Sequence, residues 1–100
     1  MFKNIFKLRA KVWLWPGVTP WHLVTLSPTE SRVIRTRFGA MEAGWRSLPV
    51  AVTIGKTSWK TSIFFDTRRK GYLLPLKAEV RKKENISDGD TIRFILEIHV

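Results

Sequence analysis

The chain contains no cysteine, which removes disulfides, thiol nucleophiles and thiolate-bound zinc together. Histidine is almost as scarce, with His22 and His99 the only two. Acidic residues are few: eight Asp+Glu stand against eighteen Lys+Arg, leaving a net charge of +10 and pointing to an anionic partner. No apolar run approaches the ~20 residues that span a bilayer. The opening stretch is interrupted by Lys3, Lys7, Arg9 and Lys11 and has no small-residue cleavage site, so it does not read as a secretory signal. The expected setting is therefore cytoplasmic, without a membrane. What is present, 44% apolar and 26% charged residues in 100, is the composition of a single globular domain over 1–100. A chain of this size hides roughly 65% of its unfolded surface, enough for a core without staples.

Strands dominate the pattern. From Phe6 to Trp15 apolar residues alternate with Lys7, Arg9, Lys11, Trp13 and Trp15, which predicts one long half-buried strand. Trp21–Leu26 reads as a second. Ser27-Pro28-Thr29-Glu30 is a helix start, with Ser27 as cap, and Gly39 is the expected stop. Pro49–Ile54 and Thr57–Phe65 form a hairpin over Gly55-Lys56. A basic loop, Asp66–Lys70, precedes a short strand at Tyr72–Leu74. Pro75 is expected to begin a second helix, ended near Asn85, with Glu79 and Lys83 paired at i,i+4. After Asp88-Gly89 the last strand, Thr91–Val100, turns Ile92, Phe94, Leu96 and Ile98 inward.

The order of elements repeats, with halves at about 2–54 and 57–100. Thr29-Glu30-Ser31-Arg32 resembles Ala78-Glu79-Val80-Arg81, and Trp21 leads its strand as Tyr72 does. Two such halves would interleave their strands into one closed barrel, hiding sheet edges, with short helices plugging its ends. A single chain that carries both halves is expected to be a monomer.

The run Gly71–Arg81, continuing through Ile86-Ser87-Asp88-Gly89-Asp90-Thr91-Ile92, resembles the swapped-hairpin AbrB/MazE class, with a longer Pro75-to-Arg81 gap. That class consists of transcriptional regulators and antitoxins whose dimers build a double-split barrel and place basic loops on DNA. A broader likeness rests on Val12-Trp13, Trp21-His22-Leu23-Val24, Gly44-Trp45, Pro49–Gly55, Trp59–Phe64, Tyr72–Lys77, Val80-Arg81 and Gly89-Asp90. With these the chain resembles the bacterial family called domain of unknown function nineteen-oh-five. The resemblance implies a mainly β, pseudo-dimeric double-split barrel with two short capping helices, and no established activity.

Catalysis finds no support in the residues. His22 and His99 fall on strands, where a lone histidine is usually structural. Asp66, Asp88 and Asp90 sit in turns, where carboxylates serve the local backbone. Asp88-Gly89-Asp90 lacks the remaining ligands of a calcium loop, and no phosphate-cradling or nucleophile motif occurs. The expectation is a non-enzymatic binding domain without metal or cofactor.

Nucleic acid is the leading expected ligand. Lys7, Arg9 and Lys11 run into Trp13 and Trp15, a pairing of charge for phosphates with rings for bases. Arg68, Arg69 and Lys70 supply a second basic group, which Arg32, Arg35 and Arg37 could extend. The competing account keeps these charges for solubility and packs Trp13 and Trp15 beneath a loop. The alternative function is a small-molecule or peptide pocket lined by tryptophans, its rim at Trp21, His22 and Trp45. Trp21 and Trp59 are otherwise expected in the core.

Overall fold

A computed structural model describes residues 4–18 and 20–100, with the backbone alone for Trp45. Phe2, where the first half is expected to begin, lies outside the described residues. The strands are β1 (Ile5–Lys11), β2 (Trp13–Trp15), β3 (Trp21–Thr25), β4 (Ser47–Ile54), β5 (Thr57–Asp66), β6 (Gly71–Pro75) and β7 (Thr91–Ile98). Helix α1 (Pro28–Phe38) follows β3, and α2 (Ala78–Lys83) follows β6. All seven strands join one antiparallel sheet in the order β1-β7-β4-β5-β6-β3-β2. Among the described residues no helix is long and apolar enough to cross a membrane.

The two edges of this sheet, β1 and β2, are separated in the chain by Val12 alone. The sheet therefore curls back on itself. Val12 makes the bend without losing hydrogen bonds: its N–H donates to Asp90 at 2.8 Å and its carbonyl accepts from Gly89 at 2.9 Å. The single strand expected over Phe6–Trp15 is thus two. The pairing partner changes from β7 to β3 at the bend, and the burial alternation of β1 stops there: Leu14, expected to face inward, is exposed on β2.

The concave face holds the core. Leu48, Val50, Val52 and Ile54 of β4 meet Ile92, Phe94, Leu96 and Ile98 of β7, and Ile34, Phe38 and Val80 come down from the helices. Each such side chain contributes about 1.5–3 kcal/mol on full burial. Leu23 and Leu73 are buried too, but outside this cluster. They lie on the convex face, bordered by Trp15, Trp21 and Phe64. Strands β3 and β6 are covered on both sides, which is why Tyr72-Leu73-Leu74 is apolar without alternation. Trp21 shares the parity of Leu23 and is 59% exposed, so it is not the core residue expected. Trp59 packs half-buried against the core.

Local signals set the helix ends. Ser27 Oγ accepts from Glu30 N–H at 3.2 Å and donates to Glu30 Oε1 at 2.6 Å, capping α1. Gly39 is not the left-handed stop expected; at φ −58° it continues into a 3₁₀ turn over Gly39–Met41. Pro75 does not start α2 either. It closes β6 opposite Leu23, and Leu76, which has an N–H, makes the next bond to β3. Asn85, at φ +54°, terminates the second helix as expected.

Strand pairing crosses between the two stretches expected as halves. β1 pairs with β7, and β5 with β4. Leu26 N–H donates to Tyr72, while Leu76 N–H donates to His22, both at 2.9 Å and fifty residues apart at donor and acceptor alike. Ser31 Oγ donates to the Leu26 carbonyl at 3.3 Å, and Arg81 Nε to the Leu76 carbonyl at 3.0 Å. Ser31 therefore corresponds to Arg81, one position off the match expected from Thr29–Arg32 and Ala78–Arg81.

Candidate functional site

Asp66 ends β5 and organises the basic turn after it. Its Oδ1 accepts from the Arg68 N–H at 2.9 Å and its Oδ2 from Arg69 Nη1 at 2.6 Å. The Arg69 hydrogen bond, chiefly, holds the Asp66 carboxyl below its ordinary value. Arg69 then lies over two rings, 4.4 Å from the centre of Trp13 and 5.0 Å from that of Trp15. The rings are 5.8 Å apart and tilted by 37°. Trp13 Nε1 donates to Thr25 Oγ1 at 2.8 Å, fixing its ring on β3. The turn and the tryptophan pair, distant in sequence, form one unit.

Helix α1 presents Arg32 and Arg35 to the same turn. With Lys70 and Phe65 they line a depression of about 390 Å³. The Arg35 guanidinium stands 4.0 Å from the centre of the Phe65 ring. Phe65 in turn meets Tyr72 edge-on at 5.2 Å, and the Tyr72 hydroxyl donates to Glu42 Oε2 at 2.5 Å. Burial, reinforced by Glu42, pushes that hydroxyl far above its ordinary value, so it stays protonated as a donor. Arg68 is exposed on the turn; Arg37 does not line this depression.

Phe65 also borders a second, apolar groove of about 530 Å³, lined with Trp15, Trp21, Phe64 and Leu73. Trp15 is 43% exposed there. A cationic hollow and an aromatic groove thus share one residue.

Lys7, Arg9 and Lys11 are exposed on β1, as alternation predicts. Lys7 and Arg9 line a different depression, of about 520 Å³, with Arg93. Arg9 sits directly opposite Arg93 across the β1–β7 pair, where like charges repel. Among the described residues none of these three has an ion-pair partner. Arg93 was missed from sequence, although its outward parity on β7 was readable. Lys7 and Arg9 border that depression, while Trp15 borders the aromatic groove.

Trp21 and His22 border a fourth cavity, together with Trp59 and Arg81. The Trp45 side chain lies outside the described residues. His99 Nε2 stands 3.2 Å from Glu97 at the surface, and Asp90 accepts from the Ser87 N–H at 2.8 Å, a local turn contact. Among the described residues no three His, Asp or Glu side chains gather as metal ligands would.

Residues 8–96 match the family described as Domain of unknown function (DUF1905), and the chain belongs to that family. No curated protein matches it.

Proposed function

We infer that this DUF1905 chain is a non-enzymatic, monomeric binding domain whose ligand is single-stranded nucleic acid, held across Phe65. The observation that carries the reading is the shared wall: Arg32, Arg35 and Lys70 on one side of Phe65, Trp15 and Trp21 on the other. Phosphates take the cations and unpaired bases take the exposed rings, each stacked base being worth roughly 1–3 kcal/mol. The Arg69 clamp presets Trp13 and Trp15, so less ordering is needed when a base arrives. Lys7, Arg9, Lys11 and Arg93 add positive field without base contacts, and Arg68 does the same on the turn.

The same reading takes the curled sheet as a single-chain double-split barrel, with the 67–70 turn in the role of the basic loop of AbrB-like proteins. Its support is the exchange of β1 onto β7 and β5 onto β4, with hydrogen bonds repeating every fifty residues.

Anisotropy of a labelled oligonucleotide and of its duplex tests the ligand. The single strand should bind more tightly, and Trp15→Ala or Trp21→Ala should cost about 1–3 kcal/mol on it and little on duplex. Equal binding of both forms, unmoved by either substitution, overturns the reading.

A further inference from the structure

The cavity bordered by Trp21 and His22, of about 310 Å³, has the chemistry of a different ligand. Its walls include the rings of Trp21 and Trp59, the imidazole of His22, and three cations, Lys60, Lys77 and Arg81, with no carboxylate in the lining. Among the described residues none of the three cations has an ion-pair partner. Placing like charges around one small space is unfavourable, and an entering anion relieves it.

Arg81 is held in place for that task. Its Nε donates to the Leu76 carbonyl at 3.0 Å, and its Nη1 lies 3.4 Å from His22 Nε2. A guanidinium only donates, so Nε2 accepts and the imidazole hydrogen sits on Nδ1. That Nδ1 is buried and has no hydrogen-bond partner among the described residues. Two of the five guanidinium N–H groups are engaged, which leaves a forked set of donors for an oxyanion. Burial, then Arg81, lowers the affinity of His22 for a proton against the smaller opposing pull of Asp88, so the ring stays neutral beside the cations near pH 7.

We propose that this cavity binds a small planar anion: one aromatic ring, or two fused rings, bearing a carboxylate or a phosphate monoester. Arg81 takes the oxyanion in bidentate fashion, Lys60 and Lys77 add charge at its side, and Trp59 and Trp21 contact the ring. The volume lies at the lower end of the roughly 300–1,000 Å³ usual for ligand pockets, which suits one or two rings. The site adjoins the proposed nucleic-acid surface and shares Trp21 with it.

Titration of the protein with phenyl phosphate and with benzoate, followed by tryptophan fluorescence and calorimetry, tests this, with inorganic phosphate and benzyl alcohol as controls. At least one aromatic anion should bind saturably and more tightly than both controls; which of the two it is identifies the oxyanion. Arg81→Lys should weaken that binding about ten- to hundredfold, the loss of a charge-assisted hydrogen bond. Because Arg81 also holds Leu76, the surface pair Lys60→Ala with Lys77→Ala serves as a second variant and should weaken binding in a protein of unchanged circular dichroism. Arg32→Ala with Arg35→Ala should leave it intact. Failure of both aromatic anions to saturate, binding unmoved by the cavity variants, or loss in the α1 variant each overturns the assignment.

Discussion

The guanidinium of Arg69 stands 4.4 Å over the ring of Trp13, while the same group binds Asp66 at 2.6 Å. One side chain thereby ties the basic turn to the sheet edge made by β2. The pair is partly solvent-exposed, so its stabilising effect is modest, a cation–π contact plus a surface ion pair of about 1 kcal/mol in sum. Arg69→Ala should lower the free energy of unfolding by that amount, seen as a lower urea midpoint, and raise the Asp66 carboxyl toward its ordinary value, seen by carbon NMR. An unchanged midpoint and an unchanged Asp66 titration would contradict the clamp.

Tyr72 fixes the far side of Phe65. Its ring is fully buried and its hydroxyl reaches Glu42. Tyr72→Phe keeps the packing and removes a hydrogen bond to a charged group, which should destabilise by roughly 1.5–3 kcal/mol. Equilibrium unfolding of the variant with and without Glu42→Gln measures the coupling, which should be of similar size; additive losses would deny it.

His22 gives the fold a dependence on pH. Its folded-state value is depressed below 6.5, first by burial and then by Arg81, against the opposing pull of Asp88. The unfolded chain therefore binds its proton more readily, and stability that is fully present above pH 6.5 is lost as pH falls below it toward the folded value. Asp66 acts in the same direction, but only below its ordinary value of 3.8. Urea midpoints about one unit either side of pH 6.5 should differ in the native chain and converge in His22→Gln. A native midpoint that is flat across that window refutes the assignment.

The architecture was readable where one side of a strand meets the core. Ile92, Phe94, Leu96 and Ile98 alternate with exposed residues, and all four are buried as expected. It was not readable where the pairing partner changes, as at Val12, or where a signal has two meanings. Pro75 suits a first helical turn and equally the last position of a strand. Trp21 was expected inside because aromatic residues favour cores, but its parity with Leu23 puts it outside. The basic and aromatic residue types were visible in sequence. The grouping of Arg32 and Arg35 with Lys70 was expected from the sequence; the placement of Arg69 over Trp13 and Trp15 was not, since the turn and β2 meet only through the fold.

On the proposed single-chain barrel, continuity of the chain through Val12 should leave neither half needing a second chain. Size-exclusion chromatography with light scattering should return the 11.6 kDa of one chain across a wide concentration range. A stable dimer would refute the self-contained sheet.

The salt dependence of oligonucleotide binding reaches the central claim most directly. Phosphate contacts release counterions, so log K should fall linearly with log[salt], steeply for the native chain. Replacing Arg32, Arg35 and Lys70 together with alanine should flatten that line by about 0.7 per lost contact on a single strand, for every sequence alike. A native chain that binds no single strand at ~50 mM salt, or a slope that the triple substitution leaves unchanged, would contradict the account.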